Sequence, residues 1–363
     1  MHSRHSVVLA LGLSVGVLSA CSDDASSDAA ASDVGAADVG ATDTASEDAG
    51  IDAPDDTSGD AASDAATPDP LLTSIVLEGE AWPESVEFDP TTRTFYTSSL
   101  VLGSVLQVDG VTGAQTEFFA GNGEEWLGLG MAIDVDRRRL WFCTAFTKQI
   151  ERGEVFALDL DTGDVEARFD LEDAAPGGAC TDFALTASGA VYVTDREAPR
   201  IYRIDLDAEA PLTIAVEDEA LEPEFVGQNG IVLSADETTL ISGKYLPARL
   251  VRIDLAGGPD AVADLGVDFG PLTGGADDLV VLDGDLYVVM EDHVARVTLD
   301  AEWTSAVVAE TYAIVANDDG TLLGGFSGII AAEGELYVSR SDVVLFAIGL
   351  DPAADFVIQR VAR

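Results

Sequence analysis

The chain has 363 residues and a net charge of −49, from 67 acidic against 18 basic side chains. That balance excludes nucleic acid and anionic membrane surfaces as partners, because both need a basic footprint. Only three Cys and three His occur, without any CxxC or Cys/His spacing of a zinc site.

Residues 1–20 read as an export signal. Arg4 and two His precede the apolar run Val7 to Ala20, which is too short to span a bilayer as a mature helix. Leu18-Ser19-Ala20-Cys21 resembles a bacterial lipobox, which predicts cleavage before Cys21 and acylation of its thiol. The membrane partner would then be reached through the N-terminal lipid, each buried CH₂ contributing roughly 0.8 kcal/mol. An ordinary secretory signal with a coincidental Cys is the plainer alternative. Ser22 after the Cys resembles outer-membrane lipoproteins, so the expected location is the cell envelope at the outer membrane.

Residues 21–70 are mostly Asp, Ala, Ser, Gly and Thr, with no Lys, Arg or aromatic side chain. Such a segment buries too little apolar surface to offset chain entropy, and its like charges repel. It reads as a disordered tether. With the signal gone, His293 is the one His left, which nearly removes Ser-His-Asp and Cys-His catalysis. Cys143 and Cys180 would lie in neighbouring repeats. A disulfide and two buried thiols are both open readings.

From Leu71 onward a repeat runs through the sequence. Tyr96, Trp141, Tyr192, Ile241, Tyr287 and Tyr337 occupy matching places in short apolar strands, at intervals of 45 to 51 residues. Each strand follows an inner strand: Ser85 to Phe88, Met131 to Val135, Phe183 to Thr186, Ile231 to Ser234, Leu279 to Leu282 and Ile329 to Ala332. Each precedes a third, the last of these being Val344 to Ile348, and then a more polar fourth. Six units of four strands predict an all-β fold, a six-bladed β-propeller of four-stranded antiparallel blades over 71–363. Thr73 to Leu77 and Phe356 to Val361 are expected to meet in one blade and close the ring. One folded unit of this kind is expected to act as a monomer.

The heads of the inner strands would converge on a central channel. Glu84, Asn229 and Asp277 bring three oxygen donors to one mouth, with Thr181 or Asp182 as a fourth. An oxygen-only set suits a divalent metal, Ca²⁺ or Mg²⁺, better than zinc or copper. Each also has a plainer reading: Glu84 as a strand-end acid, Asn229-Gly230 as a tight-turn pair, and Asp277-Asp278 as two more surface acids. Trp126, in the loop before unit two with Glu124 and Glu125, would rim the mouth or cover a blade edge.

These residues resemble the senescence-marker-protein/gluconolactonase family, the regucalcin-like six-bladed propellers. The likeness spans about Leu71 to Arg363. It rests on Pro83-Glu84-Ser85-Val86-Glu87-Phe88-Asp89, Thr181-Asp182, Asn229-Gly230-Ile231 with Ser234-Ala235-Asp236, and Asp277-Asp278. The resemblance implies Glu84, Asn229 and Asp277 as ligands of a metal, most simply Ca²⁺, with Asp277 also the catalytic base. It implies substrate contacts at Thr181 and Asp182. Three positions depart from the family: Thr181 replaces an Asn, Ala179 replaces a substrate-gripping Arg, and Asp278 replaces a Gly.

Three functional readings follow. The first is a metal-dependent hydrolase of a lactone or ester. The second is a non-catalytic envelope propeller that binds a small-molecule ligand, glycan or protein. The third, a quinone or haem propeller, is disfavoured by the single mature His and the missing CxxCH. A deep polar pocket at the channel entrance would favour the first. A channel plugged by Leu129 or Phe326 would favour the second.

Overall fold

A computed structural model describes residues 68–79, 81–121, 126–146, 149–224, 226–258, 261–270, 274–313, 325–347, 349–352 and 355–363. The signal over 1–20, Cys21, the tether as far as residue 67, and Glu124 with Glu125 lie outside the described residues.

After β1 (Ser74–Val76), blade one is β2 (Pro83–Asp89), β3 (Thr94–Ser99), β4 (Val105–Asp109) and β5 (Gln115–Phe119). Blade two is β6 (Trp126–Asp134), β7 (Arg139–Phe146), β8 (Gln149–Asp159) and β9 (Val165–Asp170). Blade three is β10 (Cys180–Leu185), β11 (Val191–Asp195), β12 (Arg200–Ile204) and β13 (Leu212–Glu217). Blade four is β14 (Val226–Leu233), β15 (Thr239–Leu246), β16 (Arg249–Asp254) and β17 (Val262–Asp264). Blade five is β18 (Leu279–Leu282), β19 (Asp285–Val289), β20 (His293–Leu299) and β21 (Ala306–Ala313). Blade six starts with β22 (Phe326–Ala332) and β23 (Glu335–Arg340), and ends with β24 (Val357–Arg360) beside β1. The fold is a six-bladed β-propeller of four-stranded antiparallel blades. The ring is closed by the two ends: Ser74 pairs with Gln359, Ile75 with Ile358 and Val76 with Val357.

The repeat follows from alternation. Tyr96, Trp141, Tyr192, Ile241, Tyr287 and Tyr337 all face the inner strand, opposite Glu87, Ala132, Ala184, Val232, Val280 and Ile330. Period-two patterning keeps one such face of every sheet against the next blade. Trp126 belongs to this packing. It opens β6, is buried, and meets Phe156 at 4.9 Å rather than rimming the mouth. The many Asp residues have local work. Asp109 and Asp159 close third strands, and each Oδ1 accepts two backbone N–H groups of the following turn.

One expected strand is corrected. Val344 to Ile348 was read as the third strand of unit six, but 343–347 form the short helix α1 (Val343–Ala347). The third place beside β23 belongs to β24. A short apolar run cannot be assigned to helix or strand by periodicity alone. Here packing decides: the Phe346 ring packs tilted against Trp82 at 5.2 Å, and its N–H bonds the Asp342 carbonyl at 3.0 Å.

Cys143 on β7 and Cys180 at the head of β10 are joined by a disulfide between blades two and three. Both residues are fully buried.

Candidate metal and ligand site

The inner strands β2, β6, β10, β14, β18 and β22 pack side by side around the channel. Register aligns their heads. At the head of each inner strand stands one residue per blade: Glu84, Leu129, Thr181, Asn229, Asp277 and Ser327. One step down stand Ser85, Gly130, Asp182, Gly230, Asp278 and Gly328. Five of the six inner strands shift register at this level, at Pro83/Val86, Gly128/Met131, Cys180/Phe183, Gln228/Ile231 and Phe326/Gly328. A bulge bends a strand and re-aims its side chains, which turns the heads into the channel. The three glycines of the lower ring allow neighbouring backbones to close in. A Cβ at Gly130 would stand 2.1 Å from the Thr181 carbonyl oxygen, and one at Gly230 would stand 2.7 Å from the Asp278 Cα.

Glu84, Asn229 and Asp277 border a single cavity of about 70 Å³, together with Thr181, Arg196 and Tyr245. Its remaining walls are apolar, from Leu100, Leu127, Leu129, Val226 and Val343 of α1. Thus Leu129 forms a wall, while Phe326 is buried among Val289, Val294 and Ile329 away from the opening. The pocket has a polar floor and apolar sides, a mixture of the two expected outcomes. A smaller space of about 10 Å³ below it is bordered by Ser85, Asp182, Asp278 and Ser327.

The floor is held by cross-blade bonds. Asn229 Nδ2 donates to Asp277 Oδ1 at 2.6 Å, and the Gly230 N–H donates to the Asp277 carbonyl at 2.7 Å. The Thr194 hydroxyl fixes the Asn229 carbonyl at 2.8 Å, and the Thr181 hydroxyl donates to the Gln228 carbonyl at 3.3 Å. Asp182 Oδ2 accepts the Ile231 N–H at 3.1 Å, and Asp278 Oδ2 accepts the Ile329 N–H at 2.9 Å. Glu87, lower on β2, accepts the Ile133 N–H. Three acids from blades one, three and five therefore each hold the inner strand of the next blade. Asp182 spends one oxygen on this structural bond.

Burial dominates the electrostatics. It pushes Glu84 up to about 8, with the Asp278 charge adding and the Arg196 guanidinium opposing. It raises Asp277 well above the usual carboxylate range, helped by Glu84 and Asp278. Asp278 is raised by burial to about 7. Tyr245 is held protonated by burial and by the charges of Asp277, Glu291 and Glu84. Burial raises both Glu84 and Asp277, the Asp278 charge adds to each, and a cation would relieve desolvated acids placed in this way.

Among the described residues, no group of three or more His, Cys, Asp or Glu side chains is arranged to hold a metal. The candidate set is two acids and an amide, an all-oxygen donor set whose hardness fits Ca²⁺ or Mg²⁺. The Asn229 amide oxygen is not taken up by the bond to Asp277. His293 pairs with Asp292 at 2.7 Å and does not border the cavity.

Sequence reasoning missed Arg196, Tyr245, Leu100 and Val343 as wall residues. A signal for the first three existed. In an antiparallel pair the end of the second strand lies beside the head of the first. Leu100 follows β3, Arg196 follows β11 and Tyr245 lies near the end of β15.

No family model and no curated protein matches this chain. Solved structures do. The chain is similar to the major allergen Mala s 1 of Malassezia sympodialis, with a TM-score of 0.64 and 16% identity over 81% of this chain and 97% of that one. It is similar to a gluconolactonase from Xanthomonas campestris, with a TM-score of 0.55 and 14% identity over 81% and 97% of the two chains. It is also similar to a calcium-binding regucalcin from Agrobacterium tumefaciens, with a TM-score of 0.53 and 17% identity over 81% and 95%. Likeness at this identity establishes the fold.

Proposed function

We propose that this propeller is a metal-dependent hydrolase of a lactone or related small ester, acting at the channel mouth. The observation that carries the reading is the floor: Glu84, Asn229 and Asp277, from blades one, four and five, occupy one level around one cavity. Two similar structures carry the names gluconolactonase and calcium-binding regucalcin, which fits the reading.

Glu84, Asn229 and Asp277 would hold Ca²⁺. Bound there, the ion would supply Lewis acidity to a carbonyl oxygen and lower the pKa of water. Asp277, ionised in that state, accepts a proton as water oxygen adds to the lactone carbonyl carbon. The ring C–O bond then breaks. The leaving alkoxide takes up the proton, and the product is a hydroxy acid. Asn229 Nδ2, bonded to Asp277, orients the carboxylate that receives the proton. Thr181 borders the substrate side of the floor, whereas Asp182, expected to contact substrate, borders only the smaller space below it and holds the Ile231 N–H. The protein would work from the cell envelope, held by the lipid on Cys21.

The apolar walls favour a second reading, a binding propeller whose pocket retains an amphipathic ligand without turnover.

The test is metal content and Ca²⁺-dependent melting of the full-length protein beside Asp277→Ala, followed by hydrolysis assays on aliphatic and sugar lactones. One stoichiometric dication, absent from the variant, together with lactone turnover supports the hydrolase. A protein that binds no dication and shows no melting shift with Ca²⁺ is not this enzyme, and the binding reading then takes its place.

A further inference from the structure

Arg196 has acids near it, Glu197 at 3.6 Å and Glu84 across the cavity, but its Nε and Nη2 hydrogen-bond to neither. It follows β11, and its backbone is fixed from both sides. Its N–H donates to the Ala179 carbonyl at 3.0 Å, and its carbonyl accepts the Gly227 N–H at 3.0 Å. Gly227 suits this contact, since a Cβ there would lie 2.5 Å from the Arg196 carbonyl oxygen. The side chain borders the cavity and is 8% exposed, yet its Nε and Nη2 have no hydrogen-bond partner.

The nearby acids do not satisfy it. Glu197 Oε1 is 3.6 Å from Nε, beyond hydrogen-bond range, and Glu197 itself is exposed. Asp195 is committed elsewhere. Its Oδ1 accepts the N–H groups of Ala179, Glu197 and Ala198, and its Oδ2 accepts the Tyr202 hydroxyl at 3.0 Å. Arg200 and Arg340 also keep nitrogens without hydrogen-bond partners, but the acid nearest each, Asp195 at 3.5 Å and Asp342 at 3.4 Å, is buried with it, and neither arginine borders the cavity. A desolvated guanidinium with two donors left without hydrogen bonds is costly, and a planar two-oxygen anion matches its donor fork.

Charge and shape narrow the ligand. In the metal-loaded state proposed above, a dication takes up the Glu84 and Asp277 charges, and a single carboxylate would fill the two donors that Arg196 leaves open. Beyond the floor, Leu127, Leu129, Val226 and Val343 offer only apolar surface. A sugar would leave its hydroxyls unpaired against those walls.

We infer that the mouth cavity takes a small organic monoanion with an apolar body, its carboxylate received by Arg196. This names the substrate class of the proposed site, and rests on that reading for the cavity being where the ligand binds. A lactone substrate would thus carry a free carboxylate besides the bond that is cut.

The probe pair is hexanoate and hexanamide, alike in shape and different in charge. Binding is measured by calorimetry on the full-length protein, in saturating Ca²⁺ and again in chelator, for wild type, Arg196→Gln and Arg196→Lys. Wild type is expected to prefer hexanoate by about tenfold or more, with the preference near one in R196Q and intermediate in R196K. Equal affinity for the two probes, or no heat from hexanoate at about 10 mM, overturns the inference without needing a variant. So does an unchanged preference in R196Q. The two proposals fail separately. Hexanoate preference without any Ca²⁺ binding keeps the anion site and removes the metal hydrolase. Stoichiometric Ca²⁺ without hexanoate preference removes the anion site and leaves the hydrolase standing.

Discussion

Asn229 and Asp277 lie 48 residues apart on neighbouring blades, and a 2.6 Å hydrogen bond from Nδ2 to Oδ1 joins them at the channel mouth. The amide serves as a neutral partner for a buried acid. Asn229→Asp sets a second carboxyl against Asp277 in the same desolvated place. In chelator the variant is expected to lose about 1–3 kcal/mol of stability, since a good donor becomes a repelling group. Saturating Ca²⁺ is expected to restore most of it. Thermal melts in both conditions check this, and a variant that Ca²⁺ fails to rescue counts against a cation between these blades.

The floor acids make stability depend on pH in a fixed direction. Burial pushes Glu84 up to about 8 and Asp278 up to about 7. An acid raised in this way binds more protons folded than unfolded. Its contribution is complete below the unfolded pKa, about 4, and is lost as pH rises through the folded value. Metal-free protein should therefore melt at a higher temperature at pH 5 than at pH 8.5. Glu84→Gln should flatten the slope over that window. A slope unchanged in this variant would assign the pH dependence to the general charge of the chain.

The Cys143–Cys180 bridge ties blade two to the inner strand that carries Thr181 and Asp182. It closes a loop across a separation of 37 residues, which by chain entropy is worth on the order of 3–4 kcal/mol. Cys143→Ala with Cys180→Ala is expected to lower the melting temperature of oxidised protein to that of reduced wild type. Calorimetry with and without reductant checks it. Reductant should have no further effect on the double variant.

Gly130 marks a close approach between blades two and three, with the Thr181 carbonyl 2.1 Å from where a Cβ would be. Gly130→Ala must push backbone against backbone. The expected loss is about 1–3 kcal/mol, the usual range for overpacking. A Cβ at Gly177 would have nothing within 4 Å, so the space there is open, although its φ of +73° disfavours Ala for another reason. Urea unfolding of G130A, read beside hexanoate binding, separates a general loss of stability from distortion at Thr181.

How far the sequence carries depends on periodicity. The six inner-strand partners of the Tyr96 to Tyr337 series were legible because alternation and interval repeat across the whole ring. The oxygen-bearing heads were legible for the same reason: one register, read six times, brings distant residues to one level. Val343 to Ala347 was not legible, because an apolar pentapeptide suits a strand as well as a helix until Phe346 meets Trp82. Arg196 was hidden in another way. Its place past a second strand points to the mouth, but nothing local tells an arginine whose donors are satisfied from one that leaves them open. The Cys143–Cys180 bond needed the distance between two neighbouring strands in space, 5.9 Å between Cα atoms, which no spacing in the chain encodes.

The clasp between β1 and β24 sets an order of events. A chain made or threaded N-terminus first presents Ser74 to Val76 long before Val357 to Arg360 exist to receive them. Five blades are complete in themselves, each from consecutive strands, while the sixth waits for the last residues. Until then the molecule is an open arc with two unsatisfied edges. The early partner of that clasp is only three residues long, which leaves little edge for another chain to pair with during the wait.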